Sequence, residues 1–583
     1  MILQALSNYY QRLLGDEKPD IPQFGFEKKE IPFLIVLDES GNFVSLRDTR
    51  VQEGKRKKAR SFLLPRGVKK TSGIKANILW DTPKYIFGIP KIPKDGSPPK
   101  EKDVLMAKEA QKAFLDRIIE VFGEDFPDEG IQAVLAFLRK GRFDALFNSE
   151  FWDEIVKLQP NLTFVLKSDG QLLICQRPLV MKRIKEVMQP SGQSRICLVT
   201  GEKDVPAILH TSIKGVRGTQ SSGGNIVSFN KESFCSFNYW KKQGLNAPVG
   251  QKAEFAYTTA LNRLLSKDSR QRIQVGDTTT VFWATKPHPF EEDFSCFLGE
   301  PPTGQEPDYG KIRALLRSVK TGVLLEEDTT GFFVLGLGPN ASRIVIRFWY
   351  NGTVGELKER IAQHFKDFEI IRSEKDREYL SLFRILVSVA PEGKADNIPP
   401  NLGAELMRSI LTGLPYPRTL LHAAIRRCKA EQRVTRELAA IIKACLTRYA
   451  RFTKDTKREV SMALDKDNNN IGYVLGRLFA VFERIQEQAL GGSLNKSIRD
   501  TYFGAASSSP LVIFRRLNDL SIHHLAKIRN SGGNTIWLEK LVGEVMDKIP
   551  ATGFPGTLPI EDQGRFAVGY YHQRQDFFTK KED

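Results

Sequence analysis

A run of cations that could hold phosphate groups provides the clearest chemistry in this 583-residue chain. Ten basic residues and one acid lie between Arg50 and Lys75. Ammonium and guanidinium groups at this density bind the phosphate backbone of nucleic acids, and they do so regardless of base sequence. The side chains that we predict to contact phosphates here are Lys55, Arg56, Lys57, Lys58, Arg60, Lys69, Lys70, Thr71 and Ser72.

The run leads into residues 71–81, which mix small polar, amide and aromatic side chains. A purely electrostatic tail would be low in complexity and would lack this second half. Lysine and asparagine side chains hydrogen-bond base edges as well as phosphates. We therefore predict that Lys75 and Asn77 read bases or act as a wedge. A solvated basic loop that touches nothing is the alternative.

A glycine-rich stretch over residues 214–225 is the second candidate for binding. Its four glycines let the backbone approach a partner closely. Gln220 and Asn225 carry amides that can bond base edges bidentately, and Ser221 and Ser222 suit phosphate or sugar oxygens. An ordinary flexible connection is the alternative for this stretch.

A third basic region covers residues 408–458, with thirteen basic residues against three acids. Its pattern is helical, and basic helical faces often contact phosphates without base preference, although a simple solvated face is equally consistent. Beyond Met462 the charge balances, with fifteen basic and fourteen acidic residues. This shift in composition predicts a domain boundary near residues 455–465.

No arrangement of residues points to catalysis. Acidic clusters at 291–293 and 326–328 could bind magnesium, but their surroundings are typical of solvated turns. The six cysteines are scattered without a close pair, which argues against a zinc site and against a disulfide framework. We expect no cofactor, no metal and no enzymatic activity, and the alternatives are a metal-dependent nuclease and a general RNA-binding scaffold.

The overall charge favours a polyanionic partner. Lys and Arg number 87 against 69 Asp and Glu, which gives a net charge of +18 and a pI near 9.4. The N-terminus lacks the pattern of a signal peptide, and no apolar run approaches the roughly 18 residues needed to cross a bilayer. We therefore expect a cytoplasmic protein with no membrane contact.

Hydrophobic periodicity predicts an α+β, multidomain fold that ends in a helical bundle. Helices are predicted over 1–14, over much of 103–187, after Thr353, and from about 401 onward. Strands are predicted at 31–37, 43–46, 162–166 and 172–175, with a hairpin over 332–350. Glycines predict that the basic run is a loop rather than a helix. The predicted domains are a mixed region 1–305, a mixed region with the hairpin 306–400, a basic helical connector 401–461, and a helical bundle 462–583.

Four motifs carry a resemblance to a known family. They are the opening MILQAL, TSGIKANILWD at 71–81, GTQSSGGNIVSFN at 218–230 and VLGLGPNASRIVIRFW at 334–349. In their order along the chain they resemble the large subunit of the type I-C CRISPR Cascade complex, a surveillance complex of antiviral defence. The resemblance covers essentially the whole chain.

The resemblance implies a non-catalytic DNA-recognition subunit. Such a subunit recognises a protospacer-adjacent motif in duplex DNA, 5′-TTC in type I-C systems, and helps to open the duplex and form the R-loop on the crRNA. Protein then reads the short motif and base pairing reads the rest. The implied partners are crRNA and its handle-binding subunit, target double-stranded DNA, the backbone subunits, the small subunits and the helicase-nuclease.

The family also implies a separate product from the C-terminal region, which resembles the Cascade small subunit. In type I-C systems that subunit is made from an internal start in the same gene. Met462 lies at the charge boundary, and a product beginning there would contain 122 residues. Met407 would include the basic stretch and Met546 would leave too little to fold, so we predict Met462 as the internal start.

Overall fold

The structure is a computed structural model that describes residues 1–16, 21–54, 56–68, 70, 73–93, 97–236, 239–299, 309–321, 326–455, 459–491 and 496–578. The chain forms two compact units. The N-terminal unit comprises Met1, Leu3–Thr211 and Ser228–Ala260. The C-terminal unit comprises Ile2, Ser212–Val227 and Leu261–Asp583.

The described strands and helices together give an α+β fold, as predicted. The strands are β1 Phe26–Glu30, β2 Phe33–Leu37, β3 Phe43–Asp48, β4 Val51–Glu53, β5 Arg56–Lys58, β6 Ser61–Pro65, β7 Trp80–Asp81, β8 Leu162–Leu166, β9 Arg195–Ile196, β10 Lys203–Asp204, β11 Arg272–Val275, β12 Thr278–Ala284, β13 Gly331–Asn340 and β14 Arg343–Thr353. The helices are α1 Ile2–Leu14, α2 Pro83–Ile86, α3 Glu101–Phe122, α4 Glu129–Lys140, α5 Asp144–Phe147, α6 Trp152–Leu158, α7 Pro178–Val187, α8 Gln251–Leu264, α9 Phe290–Leu298, α10 Tyr309–Thr321, α11 Val354–Phe368, α12 Leu382–Val389, α13 Leu402–Thr412, α14 Arg418–Glu431, α15 Arg436–Phe452, α16 Ile471–Leu490, α17 Ile498–Ser508, α18 Pro510–Asn530, α19 Ile536–Met546 and α20 Ile560–Asp576. None of the helices in the described ranges has both the length and the apolarity to span a bilayer.

A four-stranded sheet of order β3-β2-β8-β7 forms the centre of the N-terminal unit. Strand β2 is buried along its whole length, as expected for a continuous apolar run between two neighbours. It pairs antiparallel with β3 and parallel with β8. The apolar faces of α3 and α4 complete the same core. This sheet fixes the position of β7, which ends the basic loop.

Most of the predicted elements of this unit are confirmed. The helix at the N-terminus, the β2–β3 hairpin and the strand at 162–166 all form. The strand predicted at 172–175 is wrong. Only an isolated bridge joins Val165 and Leu173, and a 3₁₀ turn follows at Ile174–Gln176. A short apolar run can be buried in a turn as well as in a strand, so its hydrophobic pattern does not distinguish the two.

The C-terminal unit combines an antiparallel sheet with helices around a single core. The sheet order is β11-β12-β13-β14, and the β13–β14 pair is the hairpin predicted over 332–350. Helix α11 begins at the Thr353 cap, as predicted, and buries Val354, Leu357 and Ile361. Side chains of α13 to α20 belong to the same hydrophobic cluster as the sheet.

The compact units differ in extent from the four predicted domains. The boundaries placed after residues 305, 400 and 461 all fall inside the C-terminal unit. Ile442 and Leu446 of α15 share one core with Phe566 of α20, although residue 462 lies between them in sequence. The division into four functional regions stays a prediction.

Two buried histidines make the stability of the C-terminal unit depend on pH. His364 hydrogen-bonds Tyr416 at 2.8 Å, and His572 hydrogen-bonds Tyr473 at 3.0 Å. Burial lowers the pKa of His364 well below its ordinary value, and Arg448 adds to the effect. Burial, with a contribution from Lys443, lowers the pKa of His572 to about 3.

The sign of the effect follows from proton uptake on unfolding. An unfolded histidine takes up a proton below about pH 6.5, whereas these two stay neutral in the fold. Their contribution to stability is therefore complete above that pH and falls by about 1.4 kcal/mol per histidine for each pH unit below it. We expect a loss of roughly 3 kcal/mol between pH 6.5 and 5, because the unfolded histidines are already half-protonated at pH 6.5. Chemical denaturation of the full chain at both pH values measures this loss.

A double variant, His364→Gln with His572→Gln, provides the control. Glutamine does not titrate, so the loss of stability between pH 6.5 and 5 should shrink in this variant. An equally steep loss in the double variant would assign the pH dependence to other groups.

Candidate nucleic-acid interface

The first half of the basic run is a β-hairpin. Strands β4 and β5 pair antiparallel, with Val51 opposite Lys58 and Glu53 opposite Arg56. The connection begins at Gly54, whose φ of +61° suits the first central position of a type I′ turn. The described part of the run contains no helix, as predicted, but it forms strands where the sequence indicated only a loop.

The hairpin presents its cations to solvent. All three residues of β4 are exposed, and so are Lys57, Lys58 and Arg60. Lys58 lies 3.4 Å from Glu53, and both of these side chains are largely solvated. The Arg60 guanidinium donates to Gln171 at 3.0 Å and lies over the Phe62 ring. Exposed pairs of this kind cost little to break, so these cations can turn to phosphates.

Other cations of the run are used inside the N-terminal unit. Arg50 is half-buried and forms ion pairs with Asp48 and Glu154, which raise its pKa. Arg66 donates to Thr211 at 2.6 Å and to the buried carboxylate of Glu254 at 3.3 Å. These two arginines hold the start and the middle of the run to the unit and are therefore less suited to phosphate binding.

The second half of the run is organised by Asp81. This carboxylate is 1% exposed and accepts from Lys70 Nζ at 2.5 Å, from the Asn77 backbone at 3.0 Å and from the Thr82 backbone at 2.8 Å. Burial raises the pKa of Asp81 against the opposing effect of Lys70. Lys70 also lies over the Tyr85 ring, 3.5 Å from its centroid. Lys70 was predicted to hold phosphate, and here its ammonium is already paired.

Asn77 is buried beneath the loop. Its side chain is 5% exposed, and its Oδ1 accepts from the Val68 backbone at 2.9 Å. Nearby, Trp80 Nε1 donates to the Pro65 carbonyl at 2.8 Å and closes the same loop. In this conformation the Asn77 side chain stabilises the loop by accepting this backbone hydrogen bond. Direct base reading by Asn77 stays a prediction, and these contacts do not favour it.

Lys75 differs from Asn77 in its surroundings. It is exposed, two residues after Gly73, and the neighbouring Ile74 packs against the core. Among the described residues of the loop, Lys75 is thus an exposed cation between two anchored ends. Asp81 and Trp80, which anchor the loop, were not singled out from the sequence. The available sequence signal was the position of Asp81, an acid that follows closely after the basic run.

The glycine-rich stretch forms a second ordered loop, in the C-terminal unit. Ile213 and Gly224 exchange backbone hydrogen bonds of 2.8 and 2.9 Å. Gly223 has φ +89°, and a Cβ there would lie 2.5 Å from the Ile213 carbonyl oxygen. Arg217 donates its backbone N–H to Thr279 at 3.0 Å. The stretch is therefore fixed to β12 and is not the flexible connection considered as the alternative.

The predicted residues of this loop occupy two kinds of position. Gln220, Ser221 and Ser222 are exposed at its turn, where the Gly223 N–H donates to the Gln220 carbonyl. Asn225 is half-buried and bridges through its backbone to Ser342 and Ile344 of the adjoining hairpin. The turn thus presents three of the four side chains to solvent. The candidate residues of the basic run lie in the N-terminal unit and those of the glycine-rich stretch in the C-terminal unit. Nucleic-acid binding by either set stays a prediction.

Several predicted phosphate contacts lie outside the described residues. These are Lys55, Lys69, Thr71 and Ser72, together with the side chain of Arg56.

The acidic cluster at 291–293 is divided among separate partners. Glu291 accepts from Gln271 and from the Ala284 backbone, Glu292 pairs with Arg270, and Asp293 pairs with Lys311. Among the described residues, no three His, Cys, Asp or Glu side chains converge as metal ligands would.

The basic helical region 408–458 is partly internal. Lys443 and Arg448 of α15 are no more than 5% exposed, and Arg436 is 8% exposed. These three cations cannot belong to a phosphate-binding face in this fold. The sequence is consistent with either a phosphate-binding face or a solvated face for this region. The structure instead buries these three cations.

The family of the chain follows from a comparison with known proteins. The family model described as CRISPR-associated protein (Cas_Csd1) matches residues 6–578. None of the curated proteins matches the chain. The match covers the hairpin, the loop that ends at Asp81 and the glycine-rich turn alike. The chain therefore belongs to the Cas_Csd1 family of CRISPR-associated proteins, the family of the type I-C Cascade large subunit.

Proposed function

We propose that the protein is the non-catalytic DNA-recognition subunit of a type I-C Cascade. It recognises the protospacer-adjacent motif in duplex DNA, helps to open the duplex and to form the R-loop on the crRNA, and helps to recruit the helicase-nuclease. Its partners are crRNA, target DNA, the crRNA-handle-binding subunit, the backbone subunits and the small subunits.

The observation that carries the proposal is the exposed hairpin followed by an anchored loop. Lys57, Lys58 and Arg60 present positive charge to solvent, which suits phosphates of any sequence. Lys75 is exposed on a loop held by Asp81, and a fixed loop is what base reading requires. Adjacent parts of one run would thus carry out phosphate binding and base recognition.

Duplex binding by the assembled complex tests the proposal. A duplex with 5′-TTC beside the target should bind more tightly than one without it. Affinity for both duplexes should fall as salt rises, because phosphate contacts release counterions. Equal affinity for the two duplexes would contradict motif recognition. Preferential binding of RNA over either duplex would favour the general RNA-binding scaffold.

The absence of catalysis is part of the same proposal. The carboxylates of the 291–293 cluster bond separate partners, as described above, which supports it. Incubation of the isolated subunit with Mg²⁺ and labelled DNA should leave the DNA intact. Magnesium-dependent cleavage that disappears in Glu291→Gln would instead favour a nuclease.

We further propose that Met462 starts a separately made small subunit. Its side chain is 49% exposed, so Met462→Leu should leave the fold intact. We expect this variant to lose the small companion product on a gel of the purified complex, while the full-length chain persists. Met407→Leu is the matched control and should retain the product. Persistence of the product in Met462→Leu would refute the assignment.

A further inference from the structure

A cavity of about 390 Å³ lies in the C-terminal unit, remote in sequence from the basic run. It is lined by the end of α11, by the segment after it, and by the start of α15. The volume is within the range of small-molecule sites. Its apolar floor consists of side chains that are at most 5% exposed, namely Phe365, Phe368, Ile370 and Leu380.

Arg436 lines this cavity, and it is buried without a direct ion pair to any described residue. Arg436 is 8% exposed, and its Nη2 donates to the Glu378 carbonyl at 3.3 Å. Its Nε has no hydrogen-bond partner, and Arg436 forms no ion pair with a carboxylate in the described part of the chain. Burial lowers the pKa of Arg436. A buried guanidinium is strongly unfavourable unless an anion pairs with it.

None of the nearby acids forms an ion pair with Arg436 in the described part of the chain, although Glu437 and Asp376 attract it from a longer distance. The Glu378 carboxylate is held by Arg313 through bonds of 3.0 and 3.2 Å. Asp376 accepts from the Ser373 backbone at 3.0 Å. An external anion is therefore the missing partner of Arg436.

We propose that this cavity binds a carboxylate carried on an apolar body, with the carboxylate on Arg436 and the apolar body on the aromatic and aliphatic floor. The planar guanidinium fork matches a carboxylate. The exposed acids Glu369 and Glu374 also line the cavity, and they disfavour a strand with repeated negative charges. The carboxylate comes either from the C-terminus of a polypeptide that ends in an apolar residue or from a free organic acid.

Isothermal titration of the full chain with three probes tests the proposal. The probes are the tripeptide Ala-Ala-Phe, its C-terminal amide and 3-phenylpropionate. The two acids should bind, and the amide should bind at least tenfold more weakly. Tighter binding of the tripeptide than of 3-phenylpropionate would identify a polypeptide terminus as the source, and equal binding would identify a free acid. No binding of either acid, or equal binding of acid and amide, would overturn the proposal.

Variants assign the binding to this site. Arg436→Met should weaken acid binding at least tenfold, and Arg433→Met, which removes an exposed charge three residues earlier, should leave it unchanged. Arg436→Lys keeps the charge but loses the planar guanidinium, so we expect an intermediate affinity for the acids. This variant replaces Arg436→Met in the test if the methionine variant fails to fold. Unchanged affinity in both Arg436 variants would overturn the proposal. So would binding of oligo(dT) that requires Arg436 in the absence of acid binding.

Thermal unfolding without probe separates a binding role from a structural one. Methionine removes an unpaired buried charge and keeps much of the length of the side chain. Arg436→Met should therefore have a melting temperature no lower than that of the unchanged chain. A markedly lower melting temperature would make Arg436 a structural residue and would overturn the proposal.

Discussion

Removal of three exposed cations of the hairpin is expected to weaken binding to duplex DNA of every sequence. The variant combines Lys57→Ala, Lys58→Ala and Arg60→Ala. Each phosphate contact adds about 0.9 to the slope of log K against log salt, so three lost contacts reduce the slope by about 2.7 and the affinity roughly 100-fold at 0.15 M salt. Titrating labelled duplex with the assembled complex at several salt concentrations measures both quantities.

A matched triple variant on α3 separates this effect from net charge. Lys102, Lys108 and Lys112 are exposed, and their replacement by alanine removes the same number of charges. This control should bind DNA with nearly unchanged affinity and slope. If both triple variants lost affinity equally, net charge rather than the hairpin would account for binding.

Truncation of Asp367 is expected to cost the largest stability of any single substitution considered. Its side chain is fully buried and pairs with Arg448 at 2.6 Å and with Arg451 at 3.0 Å. Arg448 is itself buried and also donates to the Ser409 carbonyl. Asp367→Ala would leave this guanidinium without its counter-charge, and breaking a buried pair in this way costs about 3–5 kcal/mol. Denaturant unfolding of the full chain measures the loss.

Arg451→Ala is the comparison for Asp367→Ala. The Arg451 side chain is 40% exposed, so solvent already weakens its ion pair with Asp367. Its cost should be clearly smaller than that of Asp367→Ala. A loss below about 1 kcal/mol in Asp367→Ala would show that the buried pair contributes little net stability.

The periodic parts of the fold could be predicted from the sequence. Helix α1, the β2–β3 hairpin and the β13–β14 hairpin with its following helix all form where the apolar spacing indicated. The two hairpins combine a regular period with a turn, and the helix after β14 begins at the Thr353 capping box. The apolar run at 172–175 lacks such a signal, and it is a bridge and a turn instead of a strand.

The division of charges between surface and interior could not be predicted. Sequence gives the sign of a charge but not the partner that folding brings to it. Arg50 and Lys70 belong to one basic run, yet both pair with acids of the unit. Lys443 and Arg448 looked like part of a basic face and are internal. Pairs such as Arg448 with Asp367 join residues far apart in sequence, which no local pattern reveals.

The sequence indicated the basic run, but it did not show which of the side chains in that run are exposed. The basic run does present exposed cations, at Lys57, Lys58, Arg60 and Lys75. Asn77, chosen because its amide suits base edges, instead accepts from Val68 beneath the loop. A polar residue between apolar neighbours serves buried backbone groups as readily as a ligand.

The central claim is that one basic run both grips phosphates and reads the motif. The ratio of affinities for duplexes with and without 5′-TTC, measured on the assembled complex, tests it most directly. A good base contact is worth about 1–3 kcal/mol of discrimination, so Lys75→Ala should reduce the ratio roughly 5- to 150-fold. Lys57→Ala should weaken both duplexes equally and leave the ratio unchanged.

Asn77→Ala belongs in the same measurement because it distinguishes reading from support. It leaves the Val68 N–H without its acceptor, so we expect a lower melting temperature together with a reduced ratio. A reduced ratio at an unchanged melting temperature would make Asn77 a direct reader. An unchanged ratio in both Lys75→Ala and Asn77→Ala would contradict the claim that this loop reads the motif.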